Sequence, residues 1–366
     1  MKTYFATFIT GMQKPVEAVL RERLPDCRVV LMMDGAVVFE TGVAHDALGV
    51  FCFNNVFELI EKVRVEGKVD LSTQMTRILR ICADKKTNEK KIRVHSCPFV
   101  VQKTQSGQKN VLNHEWTQIN TNGKLGSKTF RIVTSCENQL VAVDHNVRGA
   151  FENFIARRTG LAVERRGGGE EFWVLYRSEG WCFFMRRLSR HPAHEKVLAR
   201  GELQPELAWL LNFIASPKPD DVCLDPFCGH GSIPFQGIKH FLMKKFYAFD
   251  SDAEVLEDAK KKFLDCKKVD VADLLKEIPE KSVDCIVTDP PWGIYKEVAG
   301  GVEGFYAGFV EKFSKVLKPG GRMVVLTAQR EAFENALASC GGWRVGEVWP
   351  VLVSGKKAAV YKVVSE

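Results

Sequence analysis

Three short stretches of this 366-residue sequence combine residue types that could do chemistry. The first is Asp225-Pro226-Phe227-Cys228-Gly229-His230-Gly231-Ser232, which follows an apolar run and opens a helical pattern. Glycines at 229 and 231 let backbone approach a ligand closely, and a helix start presents free N–H groups to polar or anionic atoms. The stretch lacks the Lys-Ser/Thr of a phosphate-binding loop and the third glycine of a dinucleotide fingerprint. The carboxylate ahead of the turn instead suits a cation, the amino group of S-adenosylmethionine, with Asp225, Phe227, Cys228, Gly229 and Gly231 as the expected contacts. The alternative is a purely structural turn.

The second stretch, Phe249-Asp250-Ser251-Asp252, puts an acid at the end of the next apolar run, about 20 residues on, where Rossmann-like sites hydrogen-bond ribose hydroxyls. Asp250 is the expected acceptor; Asp252 also suits a helix N-cap. Asp273 is the expected acceptor for the adenine amino group, with Asp270 as competitor. The third stretch is Thr288-Asp289-Pro290-Pro291-Trp292-Gly293. Its prolines stiffen the turn and leave carbonyls without competing N–H groups. An acid, a carbonyl and an aromatic plane then fit a planar substrate carrying an exocyclic amine. Asp289 and the Pro290 carbonyl would accept the amine hydrogens and Trp292 would stack on the ring, with Pro291 and Gly293 as further substrate contacts.

These turns need a scaffold, and from about residue 200 strand and helix patterns alternate. Strands are expected at 222–224, 246–249, 283–287, 322–327, 343–349 and 358–363, with helices near 204–215, 232–242, 253–264, 304–316 and 330–339. Such alternation implies a mostly parallel, doubly wound α/β sheet. The last two strands, joined at Ser354-Gly355 without a helix, must form an antiparallel hairpin at its edge. A doubly wound sheet ending in such a hairpin is the topology of class I methyltransferases.

The N-terminal part reads differently. A strand, a helix from Pro15 to Arg23, a strand, the turn Asp34-Gly35 and another strand make a small ferredoxin-like α+β fragment, with the Asp-Gly dipeptide as a hairpin signal. Phe and Leu at helical spacing suggest a helix over 45–64. Residues 84–128 are polar and lysine-rich and read partly as an exposed insertion; a strand at 130, a helix over 146–159 and two further strands follow.

Residues 1–200 hold 31 Lys+Arg against 21 Asp+Glu, and residues 201–366 hold 21 against 24, so the basic excess lies in the first part. That is a plausible polyanion platform beside a small-molecule enzyme. The pairs Arg157-Arg158, Arg165-Arg166 and Arg186-Arg187, read at loop edges, are candidate phosphate clamps, though singly such residues are more often solvated. Eleven scattered cysteines without a CxxC pair argue for reducing surroundings, hence the cytoplasm, and against a thiolate metal site. No apolar run is long enough for a membrane span, and the first residues read as a strand rather than a signal peptide.

Residues from about 198 to 364 resemble the catalytic domain of the THUMP-domain RNA methyltransferases. The segments that carry this are ARGELQPELAWLL, CLDPFCGHGSI, YAFDSD, VDCIVTDPPWG and VSGKKAAVYKV. The part before them resembles, more loosely and best over 130–188, the family's ferredoxin-like element and THUMP domain. The resemblance implies domains at 1–65 (ferredoxin-like), 66–190 (THUMP-like, RNA-binding), a linker at 191–203 and the catalytic domain at 204–366. It implies S-adenosylmethionine-dependent methylation of guanosine N2 in tRNA, in the acceptor stem, with the tRNA 3′ end held by the THUMP part. A small activator protein is implied too, since some relatives use one. The family motif usually ends in Tyr or Phe, so Trp292 is a departure. The alternatives are an rRNA guanine-N2 or an adenine-N6 methyltransferase, or an RNA-binding module with an inactive methyltransferase half. The DPPW stretch also occurs in adenine enzymes, but many of those place it before the glycine turn, which comes first here.

Overall fold

The computed structural model of the chain describes residues 1–66, 70–84, 128–166, 169–189, 198–199, 201–262, 265–293 and 300–366. Most of the lysine-rich stretch read as an insertion, 85–127, lies outside them, as does most of the expected linker. The chain divides into two compact units, one formed by Met1–Val56 with Ser189–Glu366 and the other by Phe57–Leu188.

In the first unit, strands β1 (Lys2–Thr7), β2 (Arg28–Met33) and β3 (Ala36–Thr41) lie with β3 central, and helix α1 (Gln13–Arg23) links the first two. Met33 pairs with Ala36 across Asp34-Gly35, the hairpin that this dipeptide signals, and Gly35 takes φ +73°. The expected helix over 45–64 does not form. A short 3-10 turn covers His45–Ala47, and Asn55–Arg64 is strand β4. Its residues 57–64 belong to the second unit and pair there with Trp181–Arg187, so cross-strand pairing overrides the helical spacing of Phe and Leu.

That second unit also holds α2 (Leu71–Asp84), β5 (Thr129–Cys136), β6 (Gln139–Leu140), α3 (His145–Thr159), β7 (Ala162–Val163), β8 (Glu170–Arg177) and β9 (Trp181–Arg187). Its strands run β4-β9-β8-β5-β6, with β5 and β8 parallel. Leu71, Met75, Ile78 and Cys82 of α2 recur at helical spacing and pack with Phe151 and Ile155 of α3 against Phe130, Phe172 and Phe184 of the sheet. Asp144 caps α3 by accepting from the Asn146 and Val147 N–H groups, and Gly160 ends it at φ +73°.

The rest of the first unit alternates as expected: α4 (Pro205–Ala215), β10 (Val222–Asp225), α5 (Ser232–His240), β11 (Lys245–Asp250), α6 (Ala253–Lys261), β12 (Cys266–Lys268), α7 (Leu274–Glu277), β13 (Val283–Thr288), α8 (Gly301–Val316), β14 (Leu317–Thr327), α9 (Arg330–Cys340), β15 (Trp343–Val353) and β16 (Lys356–Ser365). Strand order is β12-β11-β10-β13-β14-β16-β15; the first five strands are parallel and the last two form the antiparallel edge hairpin. Phe309, Phe313 and Phe333 of α8 and α9 close over Ile286, Met323 and Tyr361 of the sheet. This order puts β10 and β13 side by side, with β11 next to β10; β10 and β11 end in Asp225 and Asp250, and Asp289 directly follows β13.

Candidate active site

Asp225, the last residue of β10, has no solvent-exposed surface. Its Oδ1 accepts the Thr288 hydroxyl at 2.7 Å and the Phe227 N–H at 3.2 Å, while Oδ2 has no hydrogen-bond partner among the described residues. Burial, added to by the charges of Asp250 and Asp289, pushes this carboxyl up to about 8. The turn behind it is held by backbone bonds, Cys228 N–H to the Phe249 carbonyl at 2.8 Å and Gly231 N–H to the Cys228 carbonyl at 2.8 Å. Gly229 takes φ +50° with open space where a Cβ would sit, and Gly231 takes φ +80° as the residue capping α5.

Asp250 closes β11. Its Oδ2 accepts the Gly229 N–H and its Oδ1 the Asp252 N–H, each at 2.9 Å, so it ties the glycine turn to the neighbouring strand. Asp252 caps α6 through the Glu254 N–H, as its alternative role predicts. Asp273 lies in a 3-10 turn after β12, exposed, with Oδ1 ion-paired to Lys276 at 2.8 Å. Asp270 accepts the Ala272 N–H that opens that turn.

Asp289 follows β13 and keeps part of its surface open, yet atoms packed around its carboxyl push it up to about 7. Its Oδ1 accepts the Trp292 indole N–H at 2.9 Å. Pro290 is buried and Pro291 exposed; Gly293 takes φ +66°. Three residues that sequence reasoning missed brace this turn. The Tyr306 hydroxyl bonds the Pro291 carbonyl at 3.3 Å and the Thr327 hydroxyl at 2.7 Å, and the Gln329 side-chain amide donates to the Trp292 carbonyl. None of the three lies in a motif; their spacing becomes meaningful only once α8 and β14 are folded. A further clamp not anticipated is Lys262, whose ammonium donates to Glu202 at 2.5 Å and to the His230 carbonyl at 2.8 Å, joining the ARGEL segment to the glycine turn.

The arginine pairs of the second unit behave unequally. Arg157 and Arg166 are exposed. Arg158 is also exposed and donates to the Cys82 carbonyl at 2.9 Å, its guanidinium lying over the Phe154 ring. Arg165 pairs with Glu152 at 2.7 Å. Arg186 and Arg187 are the last two residues of β9, where Arg186 pairs with Glu58 at 2.9 Å and Arg187 with Glu171 at 2.8 Å. Their side chains are only 11% and 8% exposed, so their charge is spent inside the unit rather than offered to a phosphate. Among the described residues no cluster of metal-ligating side chains occurs, and no helix is long and apolar enough to cross a membrane.

Residues 192–358 match the family model described as the RMKL-like methyltransferase domain. The chain is 31% identical over 180 residues to a tRNA (guanine(6)-N(2))-methyltransferase of Mus musculus, an alignment covering 43% of this chain and 35% of that protein. It is 30% identical over 137 residues to a probable tRNA (guanine(10)-N2)-dimethyltransferase of Methanothermococcus thermolithotrophicus, covering 34% of this chain and 81% of that one. The match thus spans about a third of the mouse protein's length. The crystal structure of TrmN from Thermus thermophilus superposes with a TM-score of 0.73 at 19% identity, covering the whole of both chains, which shows the shared fold. The chain belongs to the RMKL-like methyltransferase family.

Proposed function

We propose that this chain methylates the exocyclic N2 of a guanosine in tRNA, using S-adenosylmethionine. The observation that carries the reading is the convergence of Asp225, Asp250 and Asp289 at the C-terminal ends of three adjacent strands, beside a glycine turn with room for a ligand. The residues fit the donor: Asp225 has a fully buried acceptor oxygen without a partner, in a site whose own acids repel one another, and a cationic amino group answers both. The names of the relatives support tRNA and guanine N2 as the target.

When bound, S-adenosylmethionine supplies a methyl group on a positively charged sulfur, so the protein's main task is to present an amine lone pair in line. Asp225 holds the amino group, and Asp250, fixed by Gly229 and Asp252, accepts from the ribose hydroxyls. Asp273 can reach for the adenine amino group by opening its exposed pair with Lys276, an interaction of little cost to break. Asp289 and the Pro290 carbonyl accept the two N–H groups of the guanine amine, which draws its nitrogen towards a pyramidal shape. Asp289 then takes up the departing proton, as an acid held near 7 can do. Trp292 stacks on the base. A guanosine within a stem must be flipped out to reach this turn, at a cost of a few kcal/mol.

The second unit holds the RNA in this reading, through exposed Arg157, Arg158 and Arg166, with the 3′ end and acceptor stem as its ligand and a THUMP-like role. The reaction is proposed for the cytoplasm; the ten free cysteines among the described residues agree with reducing surroundings. A small activator protein is part of the proposal. The test is incubation of the chain with labelled methyl donor and total tRNA, rRNA or DNA, followed by nucleoside analysis. N2-methylguanosine in tRNA is the expected product; N6-methyladenosine, or transfer to no substrate with and without a candidate activator, would overturn it.

A further inference from the structure

We infer that Trp292 is a positioning residue, its indole N–H anchoring one oxygen of Asp289 so that the other is presented to the substrate amine. The inference rests on the methyl-transfer reading above and goes beyond the stacking role that an aromatic at this place would have on its own.

Carboxylate groups turn readily about their last bond, because that torsion has broad, shallow wells. In Asp289 this freedom is removed: Trp292 Nε1 donates to Oδ1 at 2.9 Å. The donor is itself fixed from behind. Gln329 donates its side-chain amide to the Trp292 carbonyl, and its own backbone N–H donates to Thr327 Oγ1 at 2.9 Å. Thr327 is in turn bonded to the Tyr306 hydroxyl, which reaches the Pro291 carbonyl. Tyr306 and Thr327 have no exposed surface, so the chain of bonds ends in the packed core of α8 and β14. Two consecutive carbonyls of the turn and one oxygen of its acid are thereby tied to rigid elements.

The same bond supports the charge that the role needs. Burial favours the neutral acid, and the Trp292 N–H opposes it. The groups that face Asp289 from neighbouring elements give no help: Asp225 on β10 is another acid, and Tyr306 on α8 is a phenol itself held protonated by burial. A phenylalanine at 292 would keep an aromatic plane and lose the only donor to this carboxylate that the described residues supply by side chain.

The experiment is Trp292→Phe in the full chain, with single-turnover methyl transfer to total tRNA followed from acid to alkaline pH, and indole N–H resonances recorded on tryptophan-labelled protein. The acid limb of the Trp292→Phe profile should move up by about one pH unit, the scale of one hydrogen bond to a charged group. Transfer should recover towards the unmutated rate at alkaline pH, and cofactor affinity should stay within a few-fold. In the unmutated chain, the indole resonance that Trp292→Phe removes should titrate with pH, and Asp289→Asn should abolish that titration. Equal loss of rate at every pH would mean that Trp292 only stacks, and would overturn the inference. So would an indole resonance indifferent to Asp289→Asn, even with methyl transfer intact. Absence of transfer by the unmutated chain would instead overturn the functional reading, while the titration still reports whether the bond forms.

Discussion

Thr288 donates its hydroxyl to Asp225 Oδ1 at 2.7 Å, joining the C-terminal ends of the two neighbouring central strands with both residues fully buried. That bond draws the Asp225 carboxyl down, against the burial and the neighbouring acids that raise it to about 8. Binding a cation requires the ionised form, so at neutral pH the bound amino group must drive a proton off. The sign follows: S-adenosylmethionine affinity should rise with pH towards about 8, and fall again at higher pH where the cofactor's own ammonium loses its proton. The limiting slope is roughly tenfold per pH unit for one coupled proton. Thr288→Val removes the bond that favours the charge, and should weaken cofactor binding about tenfold at pH 7, with the gap narrowing as pH rises. Calorimetry in buffers of different ionisation heat measures both the affinity and the proton released. A pH-independent affinity, unchanged in Thr288→Val, would remove Asp225 from the cofactor site.

Asp250 joins the glycine turn to β11 through Gly229, and it is the acceptor proposed for the ribose hydroxyls. Asp250→Ala should weaken S-adenosylmethionine binding by about 1–3 kcal/mol, the range for donors left unpaired at a buried site. Cofactor titration by calorimetry checks this. Full affinity in the variant would show that the ribose is held elsewhere.

The role proposed for Asp289 is at the amine rather than at the cofactor or at phosphates. Asp289→Ala should therefore nearly abolish methyl transfer, while the affinities for cofactor and tRNA stay within a few-fold. Single-turnover assays alongside two binding titrations separate these effects. Retention of half the rate would be incompatible with an acceptor role at the reacting nitrogen.

The parts of this architecture that were legible in sequence are those where local chemistry and topology agree. Asp225, Asp250 and Thr288-Asp289 each stand where an apolar run meets residues that stop a strand, so strand ends and candidate acids coincide. The strand at 55–64 was not legible, because its Phe and Leu spacing suits a helix and its pairing partner, 181–187, lies more than a hundred residues away. Helix α2 does carry a signal in sequence, Leu71, Met75, Ile78 and Cys82 at helical spacing. Tyr306, Thr327 and Gln329 had none, since a hydroxyl or an amide outside a motif gains meaning only from its neighbours in space. Arg186 and Arg187 fail for the mirror-image reason: they look like free charge until Glu58 and Glu171 are found opposite them.

That contrast among the arginines yields a prediction that charge counting could not make. Arg157 and Arg166 are exposed, whereas Arg186 and Arg187 are nearly buried and paired with carboxylates of the same sheet. If the second unit holds RNA, the first two should bind phosphates and the last two should hold the sheet together. Arg157→Ala with Arg166→Ala should lower tRNA affinity at low salt and leave thermal stability near that of the parent chain. Each phosphate that is no longer neutralised should reduce the slope of log affinity against log salt by roughly 0.7–0.9. Arg187→Ala should act in the opposite way. Removing it strips Glu171, itself about one-tenth exposed, of a charged partner and leaves, among the described residues, Arg131 and the Trp173 indole to satisfy it. Loss of one member of a buried pair costs on the order of 3–5 kcal/mol, less here because Arg131 remains. Its mark should be a lowered melting temperature, with the salt slope unchanged once measured below that temperature. Melting curves and tRNA binding across a salt series, on the same two variants, decide the matter. A lower salt slope in Arg187→Ala, with Arg157→Ala and Arg166→Ala indistinguishable from the parent, would reverse the assignment and put the RNA-facing surface on the strand β9 side of this unit.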